Sequence, residues 1–118
     1  MEFSKQDHKT LARLIDLGLQ REYASGLSRL EALLQDWRAS APASSQDHFH
    51  RAYQLMREQD KHIARRYDPV TKRDRPLVLL QLVGEQILRE EELEDLSEAG
   101  RKWILMALEE VQRANGVR

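Results

Sequence analysis

Apolar residues recur every three or four positions along most of this chain, which is the spacing of one face of an α-helix. The densest apolar run is Leu77 to Val83, opened by Pro76 and continued to Leu88. It predicts a central helix against which the other helices pack. A buried β-strand is disfavoured because the sequence offers no second strand to pair with it. The pattern therefore predicts an all-α protein, a small up-down bundle of four to five helices.

The apolar pattern within residues 5–39 changes face part-way along. At 100° per residue, the faces of its two halves lie about 120° apart. Either the chain breaks near Ser25-Gly26, where Ser28 and Glu31 have the spacing of a capping box, or one long helix presents its halves to different neighbours. A glycine inside a helix costs only about 1 kcal/mol against alanine, so both alternatives stay open. The two faces consist of Leu11, Leu14, Ile15 and Gly18, and of Leu27, Leu30, Leu33, Leu34 and Trp37.

Small and polar residues from Ala39 to Ser45 predict a loop, and Ser44 or Ser45 can cap the helix that follows. Asp60 lies in the middle of the apolar face of that helix. An unpaired buried carboxylate is costly, so this inward candidate must pair with an arginine or tyrosine, reach solvent or serve a purpose. The apolar face consists of Phe49, Ala52, Tyr53, Met56, Ile63 and Tyr67.

Two prolines bracket the basic stretch that comes next. Asp68-Pro69 ends the preceding helix, because the residue before proline avoids helical backbone angles, and Pro76 suits the first turn of the following helix. After the acidic run Glu90 to Asp95, Ser97 can cap a last helix that ends at Asn115-Gly116. The apolar face of this helix is predicted at Leu96, Ala99, Trp103, Ala107 and Val111, widened by Ile104 and Leu108.

The composition narrows the class of protein. The 118 residues suit one domain over 1–118, and a net charge of -1 points to no class of partner. The absence of cysteine excludes disulfides, thiolate metal sites and a cysteine nucleophile, which suits a reducing cytoplasm. No apolar stretch approaches the ~20 residues that a membrane span requires, and the first residues do not resemble a signal peptide. We therefore expect a cytoplasmic protein that does not cross a membrane.

Metal binding has one weak pair of candidates. Glu58 and His62 are four residues apart, so one helical turn places a carboxylate beside an imidazole. Both point nearly opposite to the apolar face of their helix, whereas the metal sites of helical bundles project inward. We therefore expect no metal and no other cofactor, and an exposed charged pair instead.

A basic segment from Arg51 to Arg75 has eight basic residues against four acidic ones, and Tyr67 lies within it. Clustered cations bind phosphates and aromatic rings stack on bases, so the segment is a candidate site for nucleic acid or a phosphate ligand. However, the stretch from Glu85 to Glu98 has seven acidic residues against one arginine and can neutralise it, within the fold or across a subunit boundary. Nucleic-acid binding is therefore the alternative hypothesis.

The leading hypothesis is protein–protein interaction. The sequence has no Gly-rich phosphate loop, no nucleophile elbow and no ordered Ser-His-Asp set, so an enzyme is not expected. The displaced faces within residues 5–39 leave apolar area that one bundle does not cover, and such area indicates a partner, most commonly a second copy in a dimer. The candidate interaction residues are Trp37, Tyr67, Arg65, Arg66, Arg73 and Arg75.

The charges beside the central helix also favour an assembly. Lys72 to Arg75 precedes it and Glu90 to Asp95 follows it, which is the reverse of what the helix dipole stabilises. These charges therefore need partners elsewhere in the bundle or in a second chain.

Overall fold

The chain folds into helices joined by short turns in a computed structural model, which describes residues 3–116. Over this range there is no β-strand, so the prediction of an all-α helical bundle is confirmed. No helix in the same range combines the length and apolar character needed to cross a bilayer. The α-helices are α1 (Lys5–Arg38), α2 (Ser45–Tyr67), α3 (Arg75–Gly84) and α4 (Glu98–Gly116), with 3-10 helices at Pro42–Ser44, Lys72–Asp74 and Glu90–Asp95.

Helix α1 is continuous, which decides between the two alternatives for residues 5–39. Gly26 does not break the helix. A Cβ atom at this position would lie only 2.8 Å from Cγ of Gln59, so the glycine permits α2 to approach α1 closely.

The chain divides into two compact units. One unit contains the described residues up to Gly18 and those from Val70 onward, and we call it the α3–α4 unit. The other unit is Leu19–Pro69, which contains the C-terminal half of α1 and all of α2, and we call it the hairpin. The prediction of a single domain stays a prediction.

The α3–α4 unit has a conventional apolar core. Helix α3 packs against α4, and Ile104 and Leu108 on α4 are buried with Gly100, so the inward side of α4 is rotated from the predicted face toward the two residues that widened it. The other buried apolar residues are Leu11, Leu14, Val78, Leu79, Leu82, Val83, Leu88, Leu93 and Leu96.

A buried carboxylate joins the starts of two helices in this unit. Asp7 Oδ1 accepts from the backbone N–H of Ser97 at 2.7 Å, and Asp7 Oδ2 accepts from Ser97 Oγ at 2.6 Å and from the backbone N–H of Ser4 at 3.0 Å. Ser97 Oγ in turn accepts from the N–H of Gly100, which confirms the predicted cap of the last helix. Burial raises the pKa of Asp7, but these hydrogen bonds outweigh it and hold the pKa below the ordinary value of 3.8.

Three local predictions are corrected. The central helix ends at Gly84 and not near Leu88, because Gln86 adopts a left-handed backbone conformation with φ of 63°. The acidic run Glu90–Asp95 is therefore separate from the end of α3, and Arg13 binds Asp95 at 2.8 Å within the same unit. The dipole argument for an assembly is wrong for that end of the helix. Ser44 does not cap α2 with its side chain, since its Oγ donates to the carbonyl of Ala41.

We expect Asp7→Ala to lower the free energy of unfolding by about 2–3 kcal/mol, because hydrogen bonds to a buried charged acceptor are lost. Denaturant unfolding at neutral pH measures this loss. Asp16→Ala is the matched control, since Asp16 is an exposed carboxylate on the same helix and its removal should change stability by less than about 0.5 kcal/mol. Equal stabilities of the two variants would contradict the role of Asp7.

Candidate functional site: the exposed face of the hairpin

The two helices of the hairpin run antiparallel, since residues early in one contact residues late in the other. Gln59 Nε2 donates to the carbonyl of Glu22 at 2.9 Å, and near the loop Trp37 Nε1 donates to Ser45 Oγ at 3.0 Å. His48, which is buried, places Nδ1 2.9 Å from the carbonyl oxygen of Ser44. Hydrogen bonds thus join the two helices both near the loop and farther from it.

The centre of these polar contacts is Glu22, which is 7% exposed. Three side chains of α2 converge on its carboxylate. Tyr67 Oη donates to Oε2 at 2.5 Å, Arg66 Nη1 donates to both oxygens at 3.2 Å, and His62 Nε2 lies 2.8 Å from Oε1. A buried carboxylate requires such partners, so Glu22 fixes the side of α2 that meets α1.

The same contacts shift two pKa values in opposite directions. Burial raises the pKa of Glu22, but the hydrogen bonds from Tyr67 and His62 and the charge of Arg66 outweigh it and lower the pKa below 4.5. Burial and the bond to the Glu22 carboxylate raise the pKa of the Tyr67 phenol, so that it stays protonated and donates at all physiological pH values. The cluster is a stable arrangement of charges and donors at neutral pH.

The apolar stripes of the two helices lie beside these polar contacts. Ile63 is buried and Tyr67 contacts Glu22, but most other members of the stripes are exposed. In α1 the stripe consists of Tyr23, Leu27, Leu30, Leu34 and Trp37, and in α2 of Phe49, Tyr53, Met56, Asp60, Ile63 and Tyr67. Both have alternating steps of four and three residues, the spacing of a coiled-coil seam. We call the exposed part of the two stripes the apolar face.

Large side chains on this apolar face are exposed to solvent. Leu27 is 62% exposed, Phe49 is 70% exposed and Tyr53 is 60% exposed, and Tyr23, Leu34 and Trp37 are also exposed. Two open grooves follow the line between the helices. Leu34, Trp37 and Phe49 contribute to one groove, and Tyr23, Leu27, Met56 and Asp60 contribute to the other.

The distribution of apolar residues between the two units is uneven. Of the twelve buried apolar residues in the described part of the chain, eleven belong to the α3–α4 unit, and the hairpin has only Ile63. Of the nine exposed large apolar residues, six belong to the hairpin. A helix normally buries its apolar stripe against another element, so the hairpin has a surface suited to a partner and little core of its own.

The structure separates the candidate interaction residues into groups. Trp37 lies on the apolar face, whereas Arg66 and Tyr67 bind Glu22. Arg65 is exposed on α2. Arg73 lies in the 3-10 helix Lys72–Asp74 and Arg75 is the first residue of α3, both in the other compact unit. The basic segment is thus divided between two units, and nucleic-acid binding stays a prediction.

Asp60 reaches solvent, which is one of the three outcomes expected for it. It is exposed on the apolar face, and so are Phe49 and Tyr53. The prediction that this side of α2 faces inward is therefore wrong for much of its length, since His62 and Arg66 on a neighbouring side contact α1 instead.

The weak metal candidates have separate partners. His62 lies against Glu22, and Glu58 accepts a hydrogen bond from Gln54 at 3.1 Å. Among residues 3–116, no group of three or more histidine, cysteine or acidic side chains is arranged to hold a metal ion.

Glu22 is the residue of this region that sequence reasoning missed. The sequence shows only an isolated glutamate between the two apolar faces of residues 5–39. The available signal was the shared spacing of His62 and Arg66 on one side of α2, which places two possible partners of a carboxylate one turn apart.

Comparison with known protein families, with curated proteins and with solved structures finds no match for the chain.

We expect Glu22→Gln to lower the free energy of unfolding by about 2 kcal/mol at pH 7, because Arg66 and Tyr67 lose a charged partner. Since the folded-state pKa lies below 4.5, this contribution is complete above that pH and is lost as the pH falls toward the folded-state pKa. The stabilities of variant and wild type should therefore converge in acid, as measured by urea unfolding at several pH values.

Glu58→Gln is the control for this measurement, because it removes a carboxylate from the exposed side of α2. Its stability should stay within about 0.5 kcal/mol of wild type at pH 7. A Glu22→Gln variant as stable as this control would show that the buried cluster does not stabilise the hairpin.

Proposed function

We propose that this protein acts without enzymatic chemistry, by protein–protein association through the apolar face of the hairpin, and that it self-associates. One observation carries the proposal. Six large apolar side chains are exposed on a helix pair that buries one apolar residue. Covering apolar surface contributes about 25 cal/mol per Å², so this face offers a driving force for association.

The types of side chain on the apolar face support a protein partner. Aromatic residues and leucine dominate it: Tyr23, Trp37 and Phe49 line the grooves, and Tyr53 is also exposed. Aromatic side chains are enriched at protein interfaces because they cover much area with few rotatable bonds. The regular spacing of the stripes suits a helical partner whose side chains fit between them.

We expect Leu27→Glu to weaken self-association at least about tenfold, because the substitution removes buried apolar area and adds a charge at both copies of a symmetric interface. The dissociation constant is measured by analytical ultracentrifugation over a range of concentrations. Leu77→Glu is the matched control, since Leu77 is 56% exposed in α3 and belongs to the other unit.

The two variants should have the same circular dichroism spectrum as wild type, because both leucines are exposed and glutamate is a good helix former. A wild-type protein that stays monomeric at high concentration would overturn the proposed self-association. Equal weakening by both substitutions would move the interface away from the hairpin.

Asp60→Leu should have the opposite effect and strengthen association by about tenfold, because it replaces the one charged member of the α2 stripe with an apolar residue. The same sedimentation experiment measures it. Glu58→Leu adds the same side chain on the other side of α2 and should leave the dissociation constant within about threefold of wild type. If Asp60→Leu weakened the dimer, the carboxylate would be a favourable contact of the interface.

A further inference from the structure

We infer that the occupant of the apolar face is a second copy of this chain, placed so that α1 of each copy lies beside α2 of the other in a four-helix bundle. This inference rests on the proposed function and adds the arrangement of the partner. The geometry of the stripes and the charges along their edges both favour this arrangement.

The geometry fits a second hairpin. The face presents two stripes side by side on antiparallel helices, and both have the spacing of a coiled-coil seam. An occupant that fills both stripes needs two antiparallel helices with stripes of the same spacing. The hairpin itself meets this requirement, and a symmetric dimer then buries the same surface on both copies.

The outer edges of the face carry opposite charges. At 100° per residue, Glu31 lies about 80° from the centre line of the α1 stripe, on the side away from α2. Arg57 occupies the equivalent position on α2, and Lys61 lies one turn beyond it. All three residues are exposed. Arg38 lies on the same edge of α1 as Glu31, but at the C-terminal end of that helix. One edge is therefore acidic near its middle and the other is basic.

Two symmetric arrangements bring the faces together. A two-fold axis parallel to the helices places α1 beside the partner's α2 at the same level. Within the hairpin, Gly26 is level with Gln59 and Trp37 is level with Ser45, so Glu31 comes within about one turn of the partner's Arg57. Side chains of a helix lean toward its N-terminus, and in antiparallel neighbours these two side chains lean toward each other.

An axis perpendicular to the helices places α1 beside the partner's α1. The α1 stripe from Tyr23 to Trp37 is centred at about residue 30, so Glu31 then lies near the partner's Glu31. By the levels given above, this axis passes α2 near Gln54, so the partner's Arg57 lies about two turns from Arg57 and only the Glu31 carboxylates come close together. Like charges in contact across an interface are unfavourable, and the charges therefore select the first arrangement.

Single-cysteine variants test this arrangement directly, because the natural chain has no cysteine. Glu31→Cys and Arg57→Cys are each oxidised alone and as an equimolar mixture, at a concentration where light scattering shows the wild-type dimer. We expect a disulfide-linked dimer on a denaturing gel from the mixture alone. Glu58→Cys mixed with Glu31→Cys is the control, since Glu58 lies on the side of α2 opposite to the apolar face, and no linked dimer should form.

Each other outcome has a definite meaning. A linked dimer from Glu31→Cys alone overturns the arrangement while the proposed self-association stands. No linked dimer in any sample, with a dimer in light scattering, overturns it as well. A wild-type monomer in light scattering overturns the proposed function itself.

Charge reversal gives a second measurement that introduces no thiol. Glu31→Arg and Arg57→Glu should each raise the dissociation constant of the dimer several-fold, and the double variant should return it to near the wild-type value. In the other arrangement Glu31→Arg only exchanges one pair of like charges for another. An unchanged dissociation constant for Glu31→Arg would therefore overturn the inference.

Discussion

The buried carboxylate of Glu22 is the interaction on which the form of the hairpin depends. It is inside only because Tyr67, Arg66 and His62 come to it from α2, and these partners fix the rotation of α2 about its own axis. Gly26 then lets Gln59 lie against α1. With the helices held by these polar contacts, Ile63 is buried but most other members of the apolar stripes are exposed. The exposed apolar face is thus a consequence of where the charges pair.

The α3–α4 unit uses a buried carboxylate in another way. Asp7 receives hydrogen bonds at the start of α4 and leaves the apolar residues of that unit free to pack inward around Leu79, Leu82 and Ile104. There, polar contacts fix helix ends and apolar contacts fill the core. In the hairpin, polar contacts to Glu22 join the helices, and Ile63 is the buried apolar residue. The N-terminal half of α1 packs in an apolar core, whereas the C-terminal half contacts α2 through Glu22. This difference explains why the apolar pattern of α1 changes face.

The periodicity of apolar residues predicted the helices correctly. This spacing follows from helical geometry and does not depend on what the apolar side of the helix packs against. Periodicity predicted the inward side of α2 wrongly at Phe49 and Tyr53, which are exposed, because it assumes that the whole apolar side meets a neighbour within the chain. The true contact joins Glu22 to residues 40 to 45 positions away, and no local pattern encodes such a distance. The early end of α3 was missed for a similar reason. The left-handed residue there is Gln86, whereas sequence reasoning expects glycine at such positions.

Asp60 shows how an exposed apolar face can remain selective. An apolar stripe without a charged member accepts many helical partners and several registers, which makes it prone to aggregation. A single polar residue at a seam position disfavours every pairing that buries it without a partner. In the proposed dimer Asp60 limits the strength of association, while Glu31 and Arg57 at the edges favour one arrangement of the helices. The apolar residues then supply the affinity, and the few charges among them decide which surface is bound.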